Sequence, residues 1–485
     1  MKLLIIGIDG GDQRVFDAYS MPYYEQLRKR MSARTVTEDL HSRGWAEIVS
    51  GRPGMETGAL YMAPKLDGSL GFSDSFQIAS MLELPYVTPI WNLASRRGAT
   101  VGVMNLPSAS KAIPVNGFFV GSGGGGLHKV DGVPKRLVYP DDLLGELEQG
   151  GYIVDIRFKS SGIRDLEALF DRLGRMEAER VAAFVRCCQA RSTDFGFVID
   201  RATTVVQYLL RKVIEDRMAG DAGNQTELEA LASQLLERFY QQVDENLMRL
   251  VEELQPNHLV LTADHGCVPY RYKGNVNDLL AANGWQAVAG KAGSTLARLR
   301  RSVRRMLPRS ATQALKGSLP AAVKGAHEAF DRSGTKAFGH YHIPGVFIND
   351  KRRFGGPVAD GAETVGLVEK ICAAINADSE AQRFGLSARP YRSEYPHVRF
   401  ADKLPDVWID KPDELLFDHK TSGLVVSNPN YSPMRDLDSV NEDMYTGQKG
   451  RHPILLVDHE LEGLSRPEDP PDLRQIHSLV GRVFD

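Results

Sequence analysis

Residues 3–12 read LLIIGIDGGD, and this short stretch decides the fold. A continuous apolar run that stops at glycine and a charged residue has the pattern of a parallel strand buried on both faces, with a polar side chain delivered at its carboxyl end. Ligands of open α/β sheets bind at that edge, which makes Asp9 the first candidate site residue. The alternative is a strand-end aspartate that only caps a turn. The run is too short for a signal-peptide core or a membrane span.

The same punctuation recurs downstream. Residues 99–105 (ATVGVMN), 194–200 (DFGFVID) and 259–264 (LVLTAD) are short apolar or β-branched runs, and the last two end in aspartate. Helical periodicity fills residues 89–97, 167–188 and 225–253 between them. Strands alternating with helices imply an α/β fold, a mostly parallel doubly wound sheet flanked by helices. Residues 1–138, 193–287 and 333–485 are expected to form the catalytic core, 139–192 a helical cap insertion and 288–332 a basic helical insertion. Residues 121–126 (GSGGGG) are read as a loop.

With 485 residues, 42% hydrophobic and 25% charged, the chain has a globular composition, which excludes wholesale disorder and fibrous structure. A net charge of −3 supplies no chain-wide basic field, so no stable nucleic-acid partner is expected. Four cysteines without a CxxC pair suggest a reducing, cytoplasmic setting. Residues 291–324 depart from the average, with nine Lys/Arg and no Asp or Glu. They are read as an amphipathic basic segment, its basic face either solvated or paired with an acidic surface elsewhere, or else touching a phosphate-rich or anionic-lipid surface. Nothing in the sequence fixes the oligomeric state.

Asp264-His265-Gly266 follows directly on an apolar run, so a carboxylate and an imidazole sit together at a strand end, where both can grip a divalent cation. Asp9 and Asp200 end two other strand patterns and fall on the same sheet edge. Carboxylates crowded in this way repel one another unless a cation compensates them, so a metal site explains the set more simply than a structural role.

Ordered motifs extend the match along most of the chain: LLIIGIDGGD, GWAEIVSGRPGMETG from Gly44, TPIWNLASRRGATVGVMNLP, PVNGFFV, DFGFVIDR, LVLTADHG, GNVNDLL, TKAFGHYHIPGVFINDKRRFGG, LPDVWID and GRHPILLV. Together they resemble the alkaline phosphatase superfamily in its type I phosphodiesterase/nucleotide pyrophosphatase branch, and most of all its bacterial predicted phosphohydrolase or phosphomutase group. The resemblance implies a central sheet, two adjacent divalent metals (zinc or manganese) and a Ser or Thr nucleophile attacking phosphorus. It assigns Asp9, Asp264 and His265 to the metal that activates the nucleophile, and Asp200 and His452 to the other. Where the family carries a histidine four residues after Asp200, this chain has Thr204, a poor metal ligand, which leaves the second site weak, empty or completed by water, His340 or His342.

The family's nucleophile stands nine residues before the position of Ser50, and here that count lands on His41. Ser42, one residue off register, is the expected nucleophile; Thr37 and a metal-bound water are the alternatives. Arg43 and Asn277 are the expected ligands of the non-bridging phosphoryl oxygens, with a surface role as the competing account. The resulting expectation is a metal-dependent phosphohydrolase acting on a small phosphorylated or nucleotide substrate, most of all a phosphodiester or pyrophosphate. A phosphomutase of the same fold and a degenerate phosphate-binding regulatory module are the other readings. No CxPxR-type sequence supports sulfatase chemistry.

Overall fold

Because residues 3–8 are apolar without alternation, both faces of the strand Leu3–Ile8 need cover, and both receive it. The computed structural model describes residues 1–122, 132–156, 165–221, 225–287, 331–340, 342–418, 421, 423–434 and 444–485. Most of the glycine-rich 121–126 tract and the whole basic 291–324 stretch lie outside the described residues.

The chain divides into two compact units: Met1–Tyr61, Asp74–Arg271 and Asn428–Asp485 form the first, and Met62–Ser73 and Tyr272–Ser427 the second. The first holds an eight-stranded sheet in the order Met31–Ala33, Leu455–Asp458, His258–Thr262, Leu3–Ile8, Phe195–Asp200, Val101–Leu106, Gly117–Gly121, Val138–Tyr139. Leu3–Ile8 pairs in parallel with both neighbours, bringing Gly7 level with Thr262 and Ile8 level with Asp200. Parallel pairing continues through Val101–Leu106 to Gly117–Gly121, whereas the outer pairings are antiparallel: Leu455–Asp458 with both His258–Thr262 and Met31–Ala33, and Val138–Tyr139 with Gly117–Gly121.

The pleat sorts side chains between the two faces. Leu4, Ile6, Ile8 and Val198 pack into one core with Leu169, Leu173 and Met176 of the helix Leu166–Ala190 and with Leu236, Val243 and Leu250 of the helix Glu227–Leu254. On the opposite face Trp45 meets Phe197 with ring centroids 6.1 Å apart, and Phe484 meets Phe195 at 6.0 Å. The sheet is therefore doubly wound, as the strand–helix alternation implies. Residues 139–192 do not behave as a separate cap: the helix Leu166–Ala190 buries Leu169, Phe170, Leu173 and Phe184 in the main core, because its apolar stripe covers the sheet face that the apolar strands require. Glu227–Leu254 begins with a capping box, Thr226 and Glu229 each accepting the other's backbone N–H.

The second unit carries its own sheet, in the order Ala337–Gly339, Gly345–Ile348, Val407–Asp410, Ser387–Pro390, over a separate core that includes Leu367 and Ile371 of the helix Ala362–Ala377. Arg353 is buried there between Asp350 and Asp406. Among the described residues, no helix is long and apolar enough to cross a membrane.

One buried feature of the first unit gives a stability prediction. Glu38 and Glu47 share a side-chain hydrogen bond; burial first, then neighbouring acids such as Asp39, hold Glu38 up at about 8, and burial followed by Glu38 holds Glu47 well above the usual carboxylate range. Such groups keep their protons longer in the folded than in the unfolded state, so stability is full below the unfolded carboxyl value and falls as pH rises toward about 8. Glu47→Gln keeps a hydrogen-bonding amide without the titrating proton. Thermal melts are expected to show a flatter pH dependence in this variant and a higher midpoint than wild type at the alkaline end; identical pH profiles would contradict the shared-proton account.

Candidate metal centre

The chain leaves Leu3–Ile8 through Asp9 and turns sharply at Gly10, whose φ is +72°. A Cβ at Gly10 would lie 2.3 Å from Thr204 Oγ1, so the residue that permits the turn also permits the close approach of the helix Ala202–Met218. That helix docks its first turns on residues 9–12: Thr203 donates to the Asp9 carbonyl (2.6 Å), Gln207 donates to the Gly10 carbonyl (2.9 Å), and Thr204 donates to Asp9 Oδ1. Trp45 Nε1 approaches Asp9 Oδ2 at 3.3 Å from the other side.

The neighbouring strand His258–Thr262 supplies Asp264 and His265. Tyr61 donates to Asp264 Oδ2 (3.0 Å), and Gly44 lies so close that a Cβ would meet the Asp264 carbonyl at 2.3 Å. One ligand atom from each of Asp9, Asp264 and His265 lies within 4.8 Å of the others, and all three residues are buried. His265 Nδ1 is 2.7 Å from the Gly266 carbonyl, a contact that needs the proton on Nδ1 and leaves the Nε2 lone pair 3.6 Å from Asp9 Oδ1 and 3.8 Å from Asp264 Oδ2.

The Tyr208 hydroxyl stands 3.4 Å from the same Nε2, but a lone pair that also faces two carboxylate oxygens is unfavourable without a positive centre between them. Tetrahedral coordination at about 2.0 to 2.1 Å separates ligand atoms by roughly 3.3 Å, close to these spacings. Asp264 Oδ1 is buried and, among the described residues, has no hydrogen-bond partner. A divalent ion would satisfy the orphaned oxygen, the lone pair and the crowded charge together, so the residues fit such an ion. The backbone-anchored Nδ1 and the Tyr61 and Trp45 donors orient the ligands as second-sphere groups do in metal sites.

Titration directions agree with a site built for positive charge. Burial alone would raise Asp9, but Arg201 and then His265 hold it below the usual carboxylate value. Burial, then Asp9, raises Asp264, and burial keeps His265 below the ordinary imidazole value, which favours the neutral ligand form. Lys449, on a strand antiparallel to Gly266–Pro269, holds its ammonium 3.1 Å from the Tyr61 ring centroid; burial pushes it down to about 7 against the pull of Asp264 and Asp9.

The other sequence candidates lie elsewhere. Asp200 is level with Ile8 and shares its face of the sheet, where it lines a small cavity with Ile6, Ile8, Glu177 and Arg180. Arg180 Nη1 grips both Glu177 oxygens at 2.6 and 2.7 Å, and burial together with Glu177 holds Asp200 well above the carboxylate range. His452 is exposed, with Nδ1 3.1 Å from the Val36 carbonyl and 3.4 Å from Thr37 Oγ1. Neither joins the group of three.

Ser42 is buried, its hydroxyl donating to Asp39 Oδ2 and accepting from the Gly54 N–H, each at 3.0 Å. Arg43 spends its guanidinium on the Leu60, Tyr61 and Asp74 carbonyls and Ser108 Oγ, so it braces this loop rather than presenting an open fork to substrate. Asn277, in the second unit, donates to the Gly339 carbonyl (3.1 Å) and accepts from the Gly339 and Gln286 N–H groups, so its amide braces that unit. His340 stacks on Phe72 at 3.9 Å, and His342 N donates to the Phe417 carbonyl (3.1 Å).

Sequence reasoning missed Arg201, Lys449, Tyr61 and Trp45. Arg201, adjacent to Asp200 in sequence, sends Nε to 3.4 Å from Asp9 Oδ2 and Nη1 to 2.9 Å from Asp155 Oδ2. Its signal was strand parity: whichever of residues 200 and 201 faces Asp9, the other cannot.

A mostly parallel sheet whose carboxyl edge gathers two aspartates and a histidine defines an alkaline-phosphatase-like hydrolase. The chain belongs to the type I phosphodiesterase/nucleotide pyrophosphatase family, whose model matches residues 3–359, and it is an enzyme that hydrolyses phosphoester bonds. Phosphonoacetate hydrolase from Sinorhizobium meliloti 1021, solved with phosphonoformate, shares the fold at 12% identity and a TM-score of 0.54, over 100% of this chain and 96% of that one. Murine ectonucleotide pyrophosphatase/phosphodiesterase 5, solved in complex with AMP, aligns at 13% identity and a TM-score of 0.47, over 100% and 95% of the two chains. No curated protein matches the chain.

Proposed function

We propose that the protein is a metal-dependent phosphodiesterase or nucleotide pyrophosphatase that transfers the phosphoryl group to Ser42 before hydrolysis. The observation that carries this reading is the buried set of Asp9, Asp264 and His265, with an Asp264 oxygen that has no hydrogen-bond partner among the described residues and an imidazole lone pair converging on one point. These three residues would hold a divalent ion, zinc or manganese, which supplies positive charge to a phosphoryl oxygen and makes a neighbouring hydroxyl more acidic.

The chain's own groups do the remainder. Asp39, 3.0 Å from the Ser42 hydroxyl, is positioned to take its proton as Oγ bonds to phosphorus and the bond to the leaving oxygen breaks. The Gly54 N–H fixes the attacking oxygen, and Tyr61, Trp45 and Thr204 hold the two aspartates in place. Water then attacks phosphorus and returns the serine. Burial around the aspartates lowers the local dielectric and strengthens every one of these contacts. The substrate class is a small phosphodiester or nucleotide pyrophosphate, and four free, buried cysteines support a reducing, cytoplasmic setting.

Bis(p-nitrophenyl) phosphate and p-nitrophenyl phosphate, each assayed with added zinc or manganese and with chelator, test the reading. Metal-dependent turnover with a preference for the diester is expected. Turnover that survives chelation, or a clear preference for the monoester, would overturn it.

A further inference from the structure

Asp9 and Asp200 end adjacent strands, yet the pleat sends them to opposite faces. Asp200, level with Ile8, turns toward Glu177 and Arg180, and its Oδ1 accepts the Ala202 N–H at 2.7 Å. The next residue, Arg201, is the one that reaches Asp9. Thr204 spends its hydroxyl proton on Asp9, and His452 is exposed beside Val36 and Thr37. The donors expected for a second metal ion therefore do not converge, and a guanidinium stands where a second ion would approach Asp9. Like charge disfavours placing a divalent cation there.

Two protein cations border the group of three instead. Arg201 is held from two sides, Nη1 on Asp155 and Nε near Asp9, while among the described residues its Nη2 carries no hydrogen bond. Lys449 has its ammonium over the Tyr61 ring and, among the described residues, forms no ion pair. A fixed planar donor and a compact point charge beside one metal site are complementary to the spread negative charge of a transferring phosphoryl group.

We propose that this centre binds one divalent ion per chain and that Arg201 and Lys449 replace a second ion, holding the non-bridging oxygens of a phosphoryl group. The proposal rests on the metal-dependent reading above, and its test separates the two. Full-length protein is saturated with zinc or manganese, freed of excess and analysed for metal per chain. One ion is expected, and it should stay at one in Asp200→Asn and in Thr204→His; two ions in wild type, or a loss from two to one in Asp200→Asn, overturns the one-ion proposal. Asp264→Asn is expected to bind none; retention of the ion there overturns the metal-centre reading itself.

Inorganic phosphate binding to the metal-loaded protein, followed by calorimetry, tests the cations without reference to turnover. Arg201→Met and Lys449→Met are each expected to weaken it at least about tenfold while the metal count stays at one, as expected for loss of a charge-assisted contact. Arg201→Lys, which keeps the charge and the pairing with Asp155, guards against misfolding and is expected to fall between wild type and Arg201→Met. Unchanged phosphate affinity in both methionine variants overturns the role assigned to Arg201 and Lys449.

Discussion

Asp264→Ala is expected to abolish metal binding and to lower phosphodiester turnover by at least about a thousandfold, the scale on which a metal ion contributes to charge stabilisation and nucleophile activation. The carboxylate it removes is buried, approaches His265 Nε2 at 3.8 Å and holds the Tyr61 hydroxyl at 3.0 Å. The fold should tolerate the change better than most buried deletions. In the metal-free protein Asp264 is held above its usual value by burial and by the Asp9 charge, so its carboxylate is a cost to that state rather than a support. Thermal unfolding distinguishes loss of the site from loss of the fold. Wild type should gain on the order of 2.7 kcal/mol at a free metal concentration a hundred times the dissociation constant, while the variant melts normally and gains nothing. A variant that retains more than a tenth of the activity, or still responds to zinc, would show that the ion is held elsewhere.

The expectation for Asp264 also marks what a sequence can say about such a site. Leu3–Ile8 and residues 259–261 of His258–Thr262 are apolar without interruption, which identifies buried parallel strands, and the edge at which they stop follows from chain direction alone. Asp9 and Asp264-His265 sit just beyond those ends, so their meeting required only that the two strands be neighbours, as they are. Asp200 was a harder case because it is the last residue within its strand. Its face depends on register, and one residue of slip exchanges Asp200 for Arg201 at the site. No feature of DFGFVIDR distinguishes these two outcomes.

Lys449 escaped for a different reason. It precedes His452 by three residues in GQKGRH, a segment without apolar periodicity, and it reaches Tyr61 because Gly447–Gly450 pairs with Gly266–Pro269, a contact distant in sequence. Asn277 shows the other difficulty: its polarity suggested a ligand, and its amide also braces Gly339 and Gln286, a use that the sequence does not announce. Buried polar side chains are nearly always hydrogen-bonded, and most of those bonds go to the backbone or to water.

Ser42→Ala is the second variant with a large expected effect, and it separates chemistry from scaffolding in one residue. The Ser42 hydroxyl bridges Asp39 Oδ2 and the Gly54 N–H, so its loss removes two hydrogen bonds from the loop that leads into the helix Gly44–Ser50. Hydrogen bonds of this kind contribute about 1 kcal/mol each to folding. If scaffolding were its whole role, turnover would change by no more than a few-fold. As the nucleophile its removal is expected to cost at least about a thousandfold in kcat, with the metal count per chain unchanged because no ligand is touched. Asp39→Asn should lower kcat less, since it removes the proton acceptor while leaving the hydroxyl. His41 stands at the register position the family assigns to the nucleophile, one residue before Ser42, and His41→Ala is the matched control. Near-normal turnover in Ser42→Ala together with its loss in His41→Ala would move the attacking group to the imidazole, and would mean that the Ser42 hydroxyl serves the turn alone.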